Sequence, residues 1–144
     1  MNGLLADVNV QGHLSHLTNL LTALGLLEIL QSRGIRFATF PELSLDRRLD
    51  DRSLWAFCPS NGWVLWTENR NDDGPDSLAA VIRDGWQVGA LPVLTLTNKG
   101  RFEHDRGFAN LVASDLADIL FGLVDGENRD QPRIVVPRRL SAGQ

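Results

Sequence analysis

Cysteine is almost absent from this chain. A single residue, Cys58, among 144 excludes an internal disulfide framework and suits a reducing compartment. No apolar run approaches the ~20 residues that a membrane-spanning helix requires. The opening Met1-Asn2-Gly3-Leu4 lacks the basic flank and apolar stretch of a secretory signal. An excess of positive charge is missing as well: the formal net charge is −4 and the sequence pI about 5.2. A protein held on nucleic acid mainly through phosphates is usually basic or carries a basic stripe. Here the compact basic clusters are Arg47-Arg48 and the tail Arg133…Arg138-Arg139. Charge therefore does not announce a nucleic-acid partner, although a metal-dependent nuclease gathers acids around its metals and can be acidic overall. Tyrosine is also absent, and nothing functional follows from that.

Known catalytic signatures are missing. Neither Gly-x-Ser-x-Gly nor a P-loop occurs, which argues against an α/β-hydrolase or acyltransferase and against an NTPase. The histidines His13, His16 and His104 do not combine into a metal motif. The His13/His16 pair, three apart on a leucine-rich helix, reads as surface decoration. Cys58 stands beside Trp55 and Phe57 on an apolar helix face and reads as buried and inert.

The remaining composition is that of an ordinary soluble domain, with 43% hydrophobic and 22% charged residues, long enough to bury a core. A cytoplasmic single domain with no membrane partner is the expectation, with residues 141–144 as a frayed tail. Along the chain, a short apolar strand closes on Asp7. Leucines at 14, 17, 20, 21 and 24 then show helical spacing. Gly25 interrupts the helix, a second helical segment follows, and Gly34 ends it as a C-cap. Residues 35–40 alternate as a strand stopped by Pro41. Asp50 or Asp51 caps a helix through Cys58, and Trp63–Trp66 form a third strand. Asp76 caps a further helix, 91–96 form a fourth strand, the longest late helix follows Asp105, and 134–136 make a last strand. Strands alternating with helices predict one α/β domain, a parallel sheet covered on both faces and joined by right-handed crossovers.

In such a sheet the polar residues after the first four strands share one edge. These are Asp7 and Asn9; Glu42; Glu68, Asn69, Asn71, Asp72 and Asp73; and Thr95, Thr97 and Asn98. Hard oxygen donors without clustered His or Cys suit Mg²⁺ or Mn²⁺ rather than zinc, and such ions serve phosphoryl transfer. Each residue also has a plainer use. Acids and amides cap helices and make turns, so Glu42 reads more readily as a solvated loop acid, Asp50 and Asp51 as caps, and Asp76 as an N-cap. Asp7 is harder to set aside, because an acid directly after a buried strand is costly unless something satisfies it.

Three stretches together resemble the short PIN-like domains, relatives of the VapC-type toxin ribonucleases. They are Leu4-Leu5-Ala6-Asp7-Val8-Asn9, then Asp50-Asp51-Arg52-Ser53-Leu54-Trp55, then the run Gly62-Trp63-Val64-Leu65-Trp66-Thr67-Glu68-Asn69-Arg70-Asn71. The match spans the first half of the chain; the second half agrees in its order of elements. The resemblance implies a Rossmann-like α/β/α sandwich whose acids bind Mg²⁺ or Mn²⁺ and cleave RNA, with an antitoxin or a second copy of the chain as protein partner. Under it, Asp7 is the first-strand acid and Asp50 or Asp51 the helix-start acid. Asn69 and Asn71 take the places of two aspartates, and Glu42 an approximate place after the second strand. Two amides for two carboxylates keep the oxygen donors but remove two charges, which weakens a divalent site unless Asp72 or Asp73 moves in. The implied ligand set is thus Asp7, Asp51, Asp73 and Glu42, with Asn69 and Asn71 positioning phosphate or water. The alternatives are an inactive PIN-like module that binds a protein or nucleic acid, anchored by Trp66 or Trp86 if these are exposed, and a phosphate-binding domain using the helix start at Asp76-Ser77.

Overall fold

A computed structural model describes residues 1–68 and 78–138 of the chain. Five strands, β1 (Gly3–Ala6), β2 (Arg36–Ala38), β3 (Trp63–Glu68), β4 (Val93–Leu96) and β5 (Arg133–Val136), form one sheet in the order β2-β1-β3-β4-β5. Every pairing is parallel. The central strands β1, β3 and β4 are buried along nearly their whole length, as their unbroken apolar sequence requires.

Among the described residues six helices flank the sheet: α1 (Leu14–Ala23), α2 (Leu27–Ser32), α3 (Asp51–Ser60), α4 (Leu78–Gly85), α5 (Lys99–His104) and α6 (Arg106–Val124). Strand alternation sorts them into two layers. Leu4, Ala6, Val64, Trp66, Leu94, Leu96, Ile134 and Val136 point to the face covered by α1, α2, α5 and α6. Leu5, Trp63, Leu65 and Val93 point to the face covered by α3 and α4. The architecture is α/β/α, as the periodicity predicts. By length and composition α6 is also apolar enough to cross a membrane. Its sequence is interrupted by Asp115 and Asp118, and its buried residues, from Phe108 to Leu123, form much of the larger core.

Local signals explain most boundaries. The Asp50 carboxylate accepts the Ser53 N–H at 2.7 Å and starts α3. Asn98 and Asp105 do the same for α5 and α6. The long late helix thus starts after Asp105 as expected, and a short helix not expected from the sequence, α5, precedes it, the two divided where Asp105 caps Phe108. Gly34, at φ +81, closes α2 with Ile35 N–H bonded back to the Leu30 carbonyl at 3.1 Å, the left-handed cap that glycine supplies most readily.

The crossovers depart from expectation. The β3-to-β4 connection runs through α4 on one face, whereas β4-to-β5 runs through α5 and α6 on the other, in the same direction along the sheet. These two connections have opposite hands. The remaining two crossovers share the hand of β3-to-β4, so the strong preference for right-handed units assigns the minority hand to β4-to-β5. With α6 on the far side, Val135 on the other face of β5 is 45% exposed.

The order 2-1-3-4-5 places a switch point between β1 and β3. From β1 the chain first steps to one side, to β2, and then returns across to β3. Open α/β sheets bind ligands outside the carboxyl ends of the strands at such a point.

Candidate functional site

Asp7 follows the last residue of β1 and is 4% exposed. Its N–H donates to the Trp66 carbonyl at 2.9 Å, which continues the β1–β3 register by one residue and sets Asp7 beside Thr67. Thr67 in turn is paired with Thr95 on β4. The three form a row across neighbouring strands on the face covered by α3 and α4. They are also the three buried polar or charged side chains among the described residues. The Thr67 hydroxyl donates to Asp7 Oδ2 at 2.9 Å. Thr95 Oγ1 is buried without a hydrogen-bond partner among the described residues.

An unpaired buried hydroxyl costs about 1–3 kcal/mol of desolvation. Thr95→Val should therefore raise stability by about 1 kcal/mol, measured as a higher urea midpoint at unchanged slope. A loss of similar size would show that the hydroxyl is bonded in the folded protein.

Asp51 approaches the same edge from the first turn of α3. It lies three and seven residues before Leu54 and Cys58, the two buried residues of that helix, so it shares their sheet-facing side; it is itself half-buried. Burial, and secondarily the charge of Asp7, push the Cys58 thiol up to about 12, so Cys58 is a protonated, unreactive core residue.

The other candidates are engaged elsewhere. Asp50 is spent on its cap, and the Ser53 N–H holds its carboxyl below the usual range. Glu42, in a 3₁₀ turn (Pro41–Leu43), is exposed and accepts both the N–H and the hydroxyl of Thr39 at 3.0 Å. Asn69, Asn71, Asp72, Asp73, Asp76 and Ser77 lie outside the described residues. Among the described residues no three His, Cys, Asp or Glu side chains gather into a group that could hold a metal. Asp7 and Asp51 have the right donor chemistry for Mg²⁺ or Mn²⁺, but with Glu42 turned to Thr39 they are short of a complete set.

Two features escape the reading of the sequence. His13, in the 3₁₀ turn just before α1, and His16, within it, are not surface decoration; they dock the start of α1 against α5. His13 Nε2 bonds Glu103 Oε1. His16 Nε2 reaches the Phe102 carbonyl at 3.2 Å and packs edge-on against its ring. Beside them, His104 Nε2 lies 3.4 Å from Glu103 Oε2. The bond from His13, chiefly, holds the Glu103 carboxyl below its ordinary value.

The second feature is Lys99, the one lysine beside thirteen arginines. Its ammonium lies 3.5 Å from Glu68 Oε2 and donates to the Asn9 carbonyl at 3.2 Å. It thus bridges the ends of β1 and β3 from the start of α5. Its singularity was a compositional signal in plain view. Trp66, named as an interface anchor if exposed, is fully buried, and Trp86 is half-buried with its indole N–H on the Leu91 carbonyl at 3.3 Å.

Comparisons with protein-family models, with curated proteins and with solved structures returned no match.

Proposed function

We propose that the chain is a PIN-like domain whose Asp7 edge is the reduced acidic site of a Mg²⁺- or Mn²⁺-dependent endoribonuclease. One observation carries the reading: a buried carboxylate, Asp7, stands at the β1/β3 switch point, where a parallel sheet places its ligands. A buried acid is costly unless something satisfies it, and the Thr67 hydroxyl supplies one such bond. Asp51 at the start of α3 supplies a second carboxylate, and Asp73, beyond the described residues, is the proposed third. A bound ion would supply Lewis acidity toward a phosphodiester oxygen. The chain's own part is to hold Asp7 in one orientation through Thr67 and to shield it beneath α3.

The test is cleavage of single-stranded RNA with Mn²⁺ by wild type and by Asp7→Asn, which keeps the side chain's shape and its bond to Thr67. Loss of several kcal/mol of charge stabilisation corresponds to a fall of about 100-fold or more. The Mn²⁺-induced rise in Tm should disappear with it. Equal cleavage by the two proteins would assign the activity to a contaminant.

A second reading is a PIN-like module without catalysis that binds RNA, an antitoxin-type protein or another copy of the chain. The Lys99–Glu68 pair favours it, because a fixed cation at the edge lowers the charge available to a divalent ion. RNA binding with no Mn²⁺-dependent thermal shift would select this reading over the first.

A further inference from the structure

Lys99 sits badly by local rules. It occupies the first position of α5, where the helix dipole favours anions and disfavours cations. Its position is instead explained by what it reaches. The ammonium spans from α5 to Glu68, the last residue of β3, and to the main-chain oxygen of Asn9, two residues beyond Asp7. Glu68 points to the α1/α6 face and Asp7 to the α3/α4 face, because they occupy alternate positions of paired strands. Lys99 and Asp7 therefore stand on opposite lips of the same switch point.

The ammonium has three donor hydrogens. Among the described residues the Asn9 carbonyl accepts one of them and Glu68 stands 3.5 Å away as an ion-pair partner, which leaves donor capacity for an outside oxygen. The side chain is 36% exposed and its Glu68 partner 27%, so the group is open to solvent while its place is held from two sides. An arginine would meet Glu68 with a planar fork. A lysine offers a compact point charge with a rotatable donor, suited to a single oxygen.

We propose that Lys99 is the oxyanion-binding residue of this site and contacts a non-bridging phosphate oxygen of a bound RNA strand, on the lip opposite Asp7. The inference rests on the RNA reading above and identifies which cation meets the phosphodiester. Glu68 and the Asn9 carbonyl are its positioning groups. Lys99 here binds, and no proton or bond is assigned to it.

The sole lysine makes the test selective. The chain's only amines are Lys99 and the α-amino group of Met1, which lies at the opposite, amino-terminal edge of the sheet and serves as internal control. An excess of acylating reagent is applied without divalent ions, with and without single-stranded RNA. A separate arm uses inorganic phosphate, and the modified peptides are quantified by mass spectrometry. In parallel, RNA binding is measured against salt for wild type, Lys99→Met, Lys99→Arg and Arg83→Met. The last removes the same charge at the far end of α4.

RNA should protect Lys99 and not Met1. Lys99→Met should bind roughly five- to tenfold more weakly, with a salt slope smaller by about 0.7, one phosphate contact on a single strand. Lys99→Arg should restore most of the affinity, and Arg83→Met should match wild type. RNA that binds while Lys99 is acylated at its free rate overturns the inference and leaves the RNA reading standing. Protection by phosphate with no RNA binding overturns the RNA reading and supports Lys99 as an oxyanion site. Protection by neither probe together with no RNA binding overturns both.

Discussion

Gly3→Ala is expected to destabilise the domain by about 3–5 kcal/mol, the sum of backbone strain and overpacking. A Cβ at this position would stand 1.9 Å from the Arg36 carbonyl oxygen and 2.6 Å from the Arg36 nitrogen, at a backbone φ of +149. The obstructing atoms are main chain, so no side chain can rotate away. Gly3, like Leu4 and Leu5 after it, faces both neighbouring strands, with Arg36 on β2 and Trp63 on β3 as its partners. The clash is relieved only by moving the three-residue strand β2 (Arg36–Ala38) off the sheet. Domains of this kind are stable by about 5–15 kcal/mol, so Tm should fall by roughly 10–15 °C. The same substitution at Gly12 provides the control. Nothing lies within 4 Å of a Cβ there, and loss of chain entropy in the unfolded state should give a gain of about 0.4–1 kcal/mol. Equal effects at the two glycines, read by thermal unfolding, would show that β2 does not pack on Gly3 as described.

The two substitutions also mark the limit of what the sequence discloses. Gly3 and Gly12 look alike in the chain, and only the approach of β2 separates them. The same division runs through the whole fold. Elements were legible where a local cause sets them: the apolar run Trp63–Trp66 as a strand, which continues to Glu68, the helix start at Asp50 or Asp51, where Asp50 proves to be the cap, and Gly34 as the end of α2. Features decided by distant partners were not legible. Periodicity shows which side of α6 is apolar but not which face of the sheet it covers, so the reversed hand of the β4-to-β5 crossover left no trace. His13 and His16 carried the spacing of a solvated face because their partners Phe102 and Glu103 lie about ninety positions away. For the site, Asp7 was legible because a charged residue closing a buried strand conflicts with its surroundings. Glu42 was misleading for the converse reason. Its place after a strand implied convergence, whereas the 3₁₀ turn at Pro41 brings its carboxylate back onto Thr39. The row that joins Asp7 to Thr67 and Thr95 follows from strand register, which a single sequence does not state.

Trp66→Ala is expected to cost about 3–5 kcal/mol, the range for emptying a large aromatic position in a packed core. Trp66 is fully buried on β3. It lies edge-on to Phe102 with ring centroids 6.0 Å apart, and Phe102 is in turn the ring against which His16 packs. The loss would therefore loosen more than one contact: it removes the support of α5 where that helix carries Lys99 and Glu103. A second substitution separates volume from polarity. The indole Nε1 is buried without a hydrogen-bond partner among the described residues, so its removal relieves a desolvation penalty of about 1–3 kcal/mol. Trp66→Phe keeps an aromatic edge against Phe102, discards the N–H, and should cost no more than about 1–2 kcal/mol. Thermal unfolding of the two variants should thus show Tm falling by roughly 10–15 °C for alanine and a few degrees for phenylalanine. If phenylalanine proves as damaging as alanine, the indole N–H is bonded in the folded protein.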